Sequence, residues 1–438
     1  MMESSVLPKS MCDLMEHVSN ELHQVERPKL AAMFRECFAN TYGTTIQRQE
    51  DGSTFVITGD IPAMWLRDSS AQVRTYLLLA KEDPLIADMI EGIIRRQVQY
   101  IGLDPYANAF NKEPNGAGHQ QDITQMSPWI WERKYEIDSL CYPLQLSYLL
   151  WKVTGRTSQF NDDFRSAARS ILRLWRVEQA HETDSPYRFQ RINCPPTDTL
   201  TRDGMGSQVG NTGMTWSGFR PSDDACTYGY LIPSNMFAVV VLGYLAEIAD
   251  QVWGNPAIST EALQLAIEIR SGIEAYGVIQ HPTLGAIYAY ETDGLGGYHL
   301  MDDANVPSLL SIPYLGYADP EDPIYQNTRS FILSGENPYF YQGTAAKGIG
   351  SPHTPERYIW PISLAIQGLT ATSREEKLHI LDVLADTDAG TGFMHEGFHV
   401  DDPAKYTRPW FSWANAMFSE LVLDVCGHSI MKIVRTSG

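Results

Sequence analysis

The segment Trp216-Ser217-Gly218-Phe219-Arg220-Pro221-Ser222-Asp223-Asp224 sets two adjacent carboxylates among aromatic rings and an arginine. Cleaving a glycosidic bond needs two carboxyl groups, one protonated to donate to the leaving oxygen and one ionised. Adjacent acids near aromatic rings push one proton affinity upward by mutual repulsion and desolvation. That makes this segment the best source of a general acid. A Ser-Asp-Asp run after proline is equally a turn cap, and composition alone leaves both readings open.

The second acidic site is His395-Glu396-Gly397-Phe398-His399. Read literally it is HExxH, the zinc-peptidase signature, which works only on a helix where both imidazoles share a face. Gly390 and Gly392 precede it, Gly397 interrupts it and Asp401-Asp402-Pro403 follow, so the context is a loop. A third ligand at metzincin spacing would fall at Lys405. Glu396 is therefore read as a base that activates water, with a zinc peptidase built on His395, Glu396 and His399 as the rival. Asp302-Asp303 and Asp401-Asp402 lack the alternate-residue spacing of a calcium loop and are read as solvated or capping. There is no Gly-x-Gly-x-x-Gly after a strand, no Walker A motif and no Gly-x-Ser-x-Gly, so nucleotide and serine-hydrolase chemistry have no support. No cofactor is expected.

The acids keep aromatic company. The chain holds 10 Trp, 22 Tyr and 15 Phe, and many sit in polar segments: Trp65, Trp129, Trp131, Trp216, Tyr298, Tyr358, Trp360, Trp410 and Trp413. A ring face covers the C–H face of a sugar, while Asp, Glu, Asn, Arg and His bond its hydroxyls. The mix reads as carbohydrate; for any single Trp the alternative is ordinary core. A non-catalytic sugar-binding protein stays open as a second rival.

These segments need a frame. Helical periodicity dominates, with helices expected over 10–25, 28–42, 69–82, 84–102, 138–154, 157–182, 234–254, 257–277, 307–316, 322–334, 360–372, 374–387 and 409–427. One hairpin is expected around Asp51-Gly52. The polar segments 65–68, 132–138, 216–235, 298–305, 353–360 and 395–415 each end where a helix begins. Pro143, Pro233, Pro307, Pro361 and Pro409 lie at or near the start of the next helix, where a missing N–H costs nothing. Two helices separate successive segments, which suggests a closed ring of six helix pairs with all six segments at one mouth. An open α-solenoid is the alternative.

Length and charge bound the rest. A chain of 438 residues with 33 basic and 53 acidic side chains carries a net charge of −20. That argues against nucleic acid or an anionic membrane as partner. No Gly/Ser linker or charge run divides the chain, so one domain over 1–438 is expected. The longest apolar run, 236–246, is shorter than the roughly 18 residues a membrane span needs. The first nine residues show no basic region followed by an apolar one, so no signal peptide is expected. The six cysteines form no CxxC pair, which fits buried free thiols in a reducing cytoplasm better than a disulfide framework. Nothing in the sequence sets the oligomeric state.

Together the segments resemble glycoside hydrolase family 125, the exo-α-1,6-mannosidases. The residues that carry the resemblance are Gly59-Asp60-Ile61-Pro62-Ala63-Met64-Trp65-Leu66-Arg67-Asp68-Ser69-Ser70 and Tyr135-Glu136-Ile137-Asp138-Ser139-Leu140-Cys141-Tyr142-Pro143. The Trp216–Asp224 segment, Ser351-Pro352-His353-Thr354-Pro355-Glu356-Arg357 and His395-Glu396-Gly397-Phe398 complete it. It runs from about residue 28 onward and its specificity lies in the combination. It implies an all-α (α/α)6 barrel with long active-site loops. It also implies metal-independent release of non-reducing terminal α-1,6-linked mannose from mannosides or N-glycan-derived oligosaccharides, with inversion. By motif match Asp223 is the general acid and Glu396 the general base. Trp65, Arg67, Asp68, His119, Asp138, Trp216, Arg220, Asn235, His299, Asn305, His353, Arg357, Trp413 and Asn415 are expected sugar contacts, placed by segment alone.

Overall fold

The computed structural model describes residues 7–430. Residues 1–6 and 431–438 hold the start of the region read for a leader and both ends of the expected single domain, and these lie outside the described residues. Helix predominates, and the described residues also form fifteen strands of two to five residues in six small sheets.

Two kinds of helix alternate along the chain. The Ile137–Thr154 helix buries fifteen of its eighteen residues, while the next, Asp162–Gln179, buries eight of eighteen. Likewise Ile232–Gln251 buries fourteen of twenty and Pro256–Tyr276 eight of twenty-one. A helix apolar all round must sit inside, whereas an amphipathic one covers it and faces water. Ile232–Gln251 packs on both Pro256–Tyr276 and Ile137–Thr154. Truncating a fully buried residue there, such as Leu242 to Ala, should cost about 2–5 kcal/mol. By length and composition this is the one helix among the described residues apolar enough to cross a membrane, but it is a core element here. Ser412–Val425 packs against Pro28–Thr44, so the last long helix returns to one of the first.

The two kinds also begin differently. Asp83, Asn161, Asn255, Asp322 and Ser373 cap the half-exposed helices by accepting a backbone N–H. Such caps satisfy amides the first turn leaves without partners. The buried helices are entered from extended residues with no side-chain cap: Trp65, Glu136, Leu231, Trp360 and Phe411. Three of these entries are edges of three-stranded sheets. Met64–Trp65 joins Ala109–Phe110 and Ile130–Glu132; Tyr230–Leu231 joins Glu291–Thr292 and Tyr298–His299; Tyr358–Ile359 joins Phe398–His399 and Asp402–Tyr406. These sheets pin the polar segments ahead of the buried helices. The stretch just ahead of the first segment meets the last segment directly, because Ser412 N donates to Thr58 O at 3.1 Å and Gly59 bridges to Phe411. A Cβ on Gly59 would lie 2.7 Å from Trp410 O, so only glycine fits that closure.

The expected hairpin is present, with Ile46–Arg48 antiparallel to Thr54–Val56. The 69–82 helix is instead broken into Leu66–Ala71, a 3-10 turn and Leu77–Ala80. Of 307–316 only Ile312–Leu315 is helical. Pro233 and Pro361 open their helices as expected, whereas Pro143 lies inside Ile137–Thr154. The sheets escape a periodicity reading because two-residue strands have no period to read.

Candidate active site

A cavity of about 220 Å³ opens where five of the six polar segments converge, with 132–138 contributing none of its lining. Asp223 and Glu396 both line it. So do Trp65, Arg67, Asp68, Asn305, His353 and Trp413 from the expected contacts. Thr58, Ile61, Pro221, Ser222, Trp360, Arg408 and Phe411 complete the wall.

Asp223 sits in a tight loop in which Asp223 N donates to Arg220 O and Arg220 N to Asp224 O. Its φ of 70° is left-handed, a conformation Asp tolerates better than most residues. That twist sends the two neighbouring carboxylates to different partners. Asp223 Oδ1 accepts from Arg67 Nη2 at 3.2 Å and Asn108 Nδ2 at 3.4 Å, while Asp224 Oδ1 meets His353 Nδ1 at 3.2 Å. The expected repulsion between Asp223 and Asp224 is thus replaced by separate pairings. Burial alone would raise the Asp223 carboxyl, but the Arg67 guanidinium, the Lys134 ammonium and a hydrogen bond with Glu136 hold it well below the ordinary carboxylate range. The raised proton affinity appears on Glu136, where burial is the main cause, opposed by Arg67 and reinforced by Asp223 and Asp138. His353 gains a proton more easily than usual. Burial works against that, yet Asp224, Glu396 and Asp223 bring it to about 9.

Glu396 lies on the loop before the Phe398–His399 strand. Its Oε1 is 3.6 Å from Arg408 Nη1, and no side-chain hydrogen bond holds its carboxylate among the described residues. Arg408 is anchored in turn by Asp60, by Thr58 Oγ1 at 3.2 Å and by the Phe411 ring at 4.2 Å. Asn415 Oδ1 accepts from Met394 N at 2.9 Å, which ties this loop to the Ser412–Val425 helix.

Several expected contacts stand away from the wall. Asp138 is buried behind it and accepts from Arg67 Nη1 at 3.2 Å. Trp216 is core, stacked on His181 at 3.6 Å. Arg220 pairs with buried Glu291 at 2.6 Å and reaches His299 Nδ1 at 3.3 Å. Asn235 bonds the Thr215 and Leu231 backbone. His119 is 3.8 Å from Glu132, and Arg357 pairs with Asp401 at 2.5 Å near the surface. Asp302 is buried rather than solvated and accepts from Leu309 N and Leu310 N; Asp303 accepts from Asn305. Sequence reasoning did not single out Arg408, Asn108 or Lys134, which lie far apart along the chain in no shared motif.

The family model for metal-independent alpha-mannosidases (GH125) matches residues 27–423. The chain belongs to this family. A Schizosaccharomyces pombe relative, the meiotically up-regulated gene 157 protein, is 42% identical over 424 residues, covering 92% of this chain and 83% of that one. A Streptococcus pneumoniae metal-independent alpha-mannosidase, solved as a non-productive complex with α-1,6-mannobiose, is 54% identical. It superposes with a TM-score of 0.93 over 96% of this chain and 99% of its own. A wild-type glycosidase with 16% identity, a TM-score of 0.53 and coverage of 91% and 97% shares the fold alone.

Membership of a metal-independent family agrees with how the HExxH residues are placed. They are loop and strand, not helix. His395 stacks on Tyr406 at 3.7 Å, and its two ring nitrogens meet Arg408 O and Thr391 Oγ1, each at 3.2 Å. His399 Nδ1 accepts from Asp401 N. Among the described residues, the one group of His, Cys or acidic atoms close enough to share an ion is His17, Glu21 and His428, and none of these lines the cavity.

Proposed function

We propose that this chain is an inverting exo-α-1,6-mannosidase, folded as a single (α/α)6-barrel catalytic domain, with Asp223 as general acid and Glu396 as general base. The observation that carries the reading is that these two carboxylates, far apart in sequence, line one cavity whose wall mixes Trp65, Trp360 and Trp413 with charged groups. Alternation of buried and half-buried helices, with the last returning to an early one, supports the barrel.

The terminal mannose of an oligosaccharide enters the cavity. Trp65, Trp360 and Trp413 in the wall supply ring faces for the C–H faces of the sugar. Arg67, Asp68, Asn305, His353 and Arg408 supply polar contacts. Asp223 protonates the glycosidic oxygen as the C1–O bond breaks. Glu396 takes a proton from the water that attacks the opposite ring face. Inversion needs the carboxyls roughly 6.5–9.5 Å apart to admit that water, against about 5 Å for retention. No metal takes part in these steps. Six unpaired cysteines, three of them buried, support work in a reducing compartment such as the cytoplasm.

A panel of mannobioses tests the substrate. The α-1,6-linked disaccharide should be cleaved and the α-1,2- and α-1,3-linked ones left intact. Equal cleavage of all three would remove the linkage assignment, and tight sugar binding without turnover would favour the non-catalytic rival.

A further inference from the structure

A general acid must hold a proton when the sugar is bound, yet the surroundings of Asp223 favour its ionised form. The resolution lies behind it. One guanidinium, Arg67, serves four carboxylates: Asp68 at 3.7 Å, Asp138 and Asp223 at 3.2 Å, and Glu136. The nearby Lys134 ammonium is shared between Glu132 and Asp198, both of which, with Asp122, also pair with Arg191. Carboxylates outnumber cations, and a buried site of this kind sheds charge by keeping a proton.

The hydrogen bonds narrow down which groups can share that proton. Asn108 Oδ1 accepts from Lys134 N, which fixes the amide with its Nδ2 toward the acids. That nitrogen has two hydrogens but three carboxylate neighbours: Glu132 and Glu136 at 3.2 Å and Asp223 at 3.4 Å. Glu136 Oε2 already accepts from Arg67 and from Ser139 Oγ at 2.7 Å. Its Oε1 and Asp223 Oδ1 both meet the one Asn108 amide nitrogen, which brings the two carboxyls together. The Glu136 side chain is wholly buried, whereas a quarter of the Asp223 side chain opens to the cavity.

We propose that Glu136 and Asp223 form a carboxyl dyad that holds one proton between them, with Glu136 as the reserve from which Asp223 is charged when sugar binds. The direction of the shifts at both groups agrees. This rests on Asp223 being the general acid. A bound sugar covers Asp223 and strips its water, which raises its proton affinity toward that of Glu136. The proton passes to Asp223. Its O–H bond breaks as the glycosidic oxygen gains the proton, and the C1–O electron pair goes to that oxygen. Both dyad carboxyls end ionised, and Glu396 ends protonated from the attacking water. After release Glu396 loses its proton to solvent and the dyad regains one. Glu136 touches no substrate; it is a positioning residue for the proton.

The test compares Glu136→Gln with Asp223→Asn on α-1,6-mannobiose and on an aryl α-mannoside with a strongly activated leaving group. Gln keeps the shape and a donor toward Asp223 but cannot give up a proton. Turnover of mannobiose by E136Q should fall roughly 10²–10⁴-fold, with a far smaller loss on the aryl mannoside. The alkaline limb of its kcat/KM profile for mannobiose should move to lower pH, because Asp223 alone binds its proton weakly. The titratable and charged groups facing the dyad are Arg67, Lys134, Asp68, Glu132, Asp138 and His353, all unchanged in the variant. If E136Q fails to fold, Glu136→Asp keeps an ionisable group and should show the same substrate split in smaller measure. Equal loss on both substrates by E136Q or E136D, with D223N still selective, would overturn the dyad. Equal loss by D223N itself would instead overturn Asp223 as the acid.

Discussion

Asp223 and Glu396 share a cavity but not an environment. Around Asp223 the protein is dense: Arg67 and Asn108 reach its carboxylate, Glu136 shares the Asn108 amide with it, and Lys134 Nζ donates to its backbone carbonyl at 2.7 Å. These partners come from segments 67, 108 and 134–136, more than eighty residues upstream. Around Glu396 the arrangement is sparse. Arg408 stands at 3.6 Å and His353 acts on it without a hydrogen bond, and the loop is fixed through its backbone, with Gly397 N donating to Thr407 Oγ1 at 3.1 Å. A proton donor works when neighbours set its proton affinity and hold its direction. A base that activates water needs free lone pairs for that water. The two carboxylates differ in the way those two tasks differ.

Four experiments press on that contrast. The largest effect is expected from Glu396→Gln. With no neighbour to take over the proton, turnover should fall roughly 10²–10⁴-fold on mannobiose and on activated aryl mannosides alike, while sugar binding survives. A loss confined to the poor leaving group would exchange the two roles. Next, Arg67→Met leaves Glu136, Asp138 and Asp223 buried without their shared cation, so urea unfolding should show a loss of about 3–5 kcal/mol. Arg408→Met on the sparse side removes a partly exposed pair with Asp60 and should cost only about 1 kcal/mol. Comparable losses would erase the difference in construction. Third, Asn415→Ala orphans Met394 N behind the base loop and should destabilise by about 1–3 kcal/mol, lowering activity equally for all leaving groups.

The smallest effect concerns pH. His353 has its proton affinity raised from 6.5 to about 9, so its pairing with Asp224 stabilises the fold in full below pH 6.5. The contribution fades as pH climbs through about 9. About a third of the side chain is exposed, so screening trims its size. Thermal melts of His353→Gln should lack this decline between pH 6.5 and 9; an unchanged slope would remove the pairing from the account.

The sequence showed where chemistry gathers better than which side chains face one another. Helical periodicity located the buried helices because Ile137–Thr154 and Ile232–Gln251 are apolar over whole turns. The six polar segments were visible because they interrupt that pattern with acids and aromatic rings. Trp216 was misread as a sugar platform, since an aromatic in a polar segment looks alike whether it faces a cavity or stacks on His181. The Asp223-Asp224 repulsion was misread because adjacency says nothing of a left-handed turn that points neighbours apart. Glu136 lies in the Tyr135–Pro143 motif, yet its proposed partnership with Asp223 depends on Asn108 and Arg67 arriving from separate segments. Such contacts are made by the two-residue strands ahead of the buried helices, which leave no periodic trace.

The proposed roles of donor and base require a water lodged between Glu396 and the sugar, and the stereochemistry of the released mannose reports on it. Proton NMR during hydrolysis of α-1,6-mannobiose should show β-mannose appearing first, with the α-anomer growing in only by mutarotation. Initial release of α-mannose would mean that no such water attacks, and would contradict the assignment of the two carboxylates.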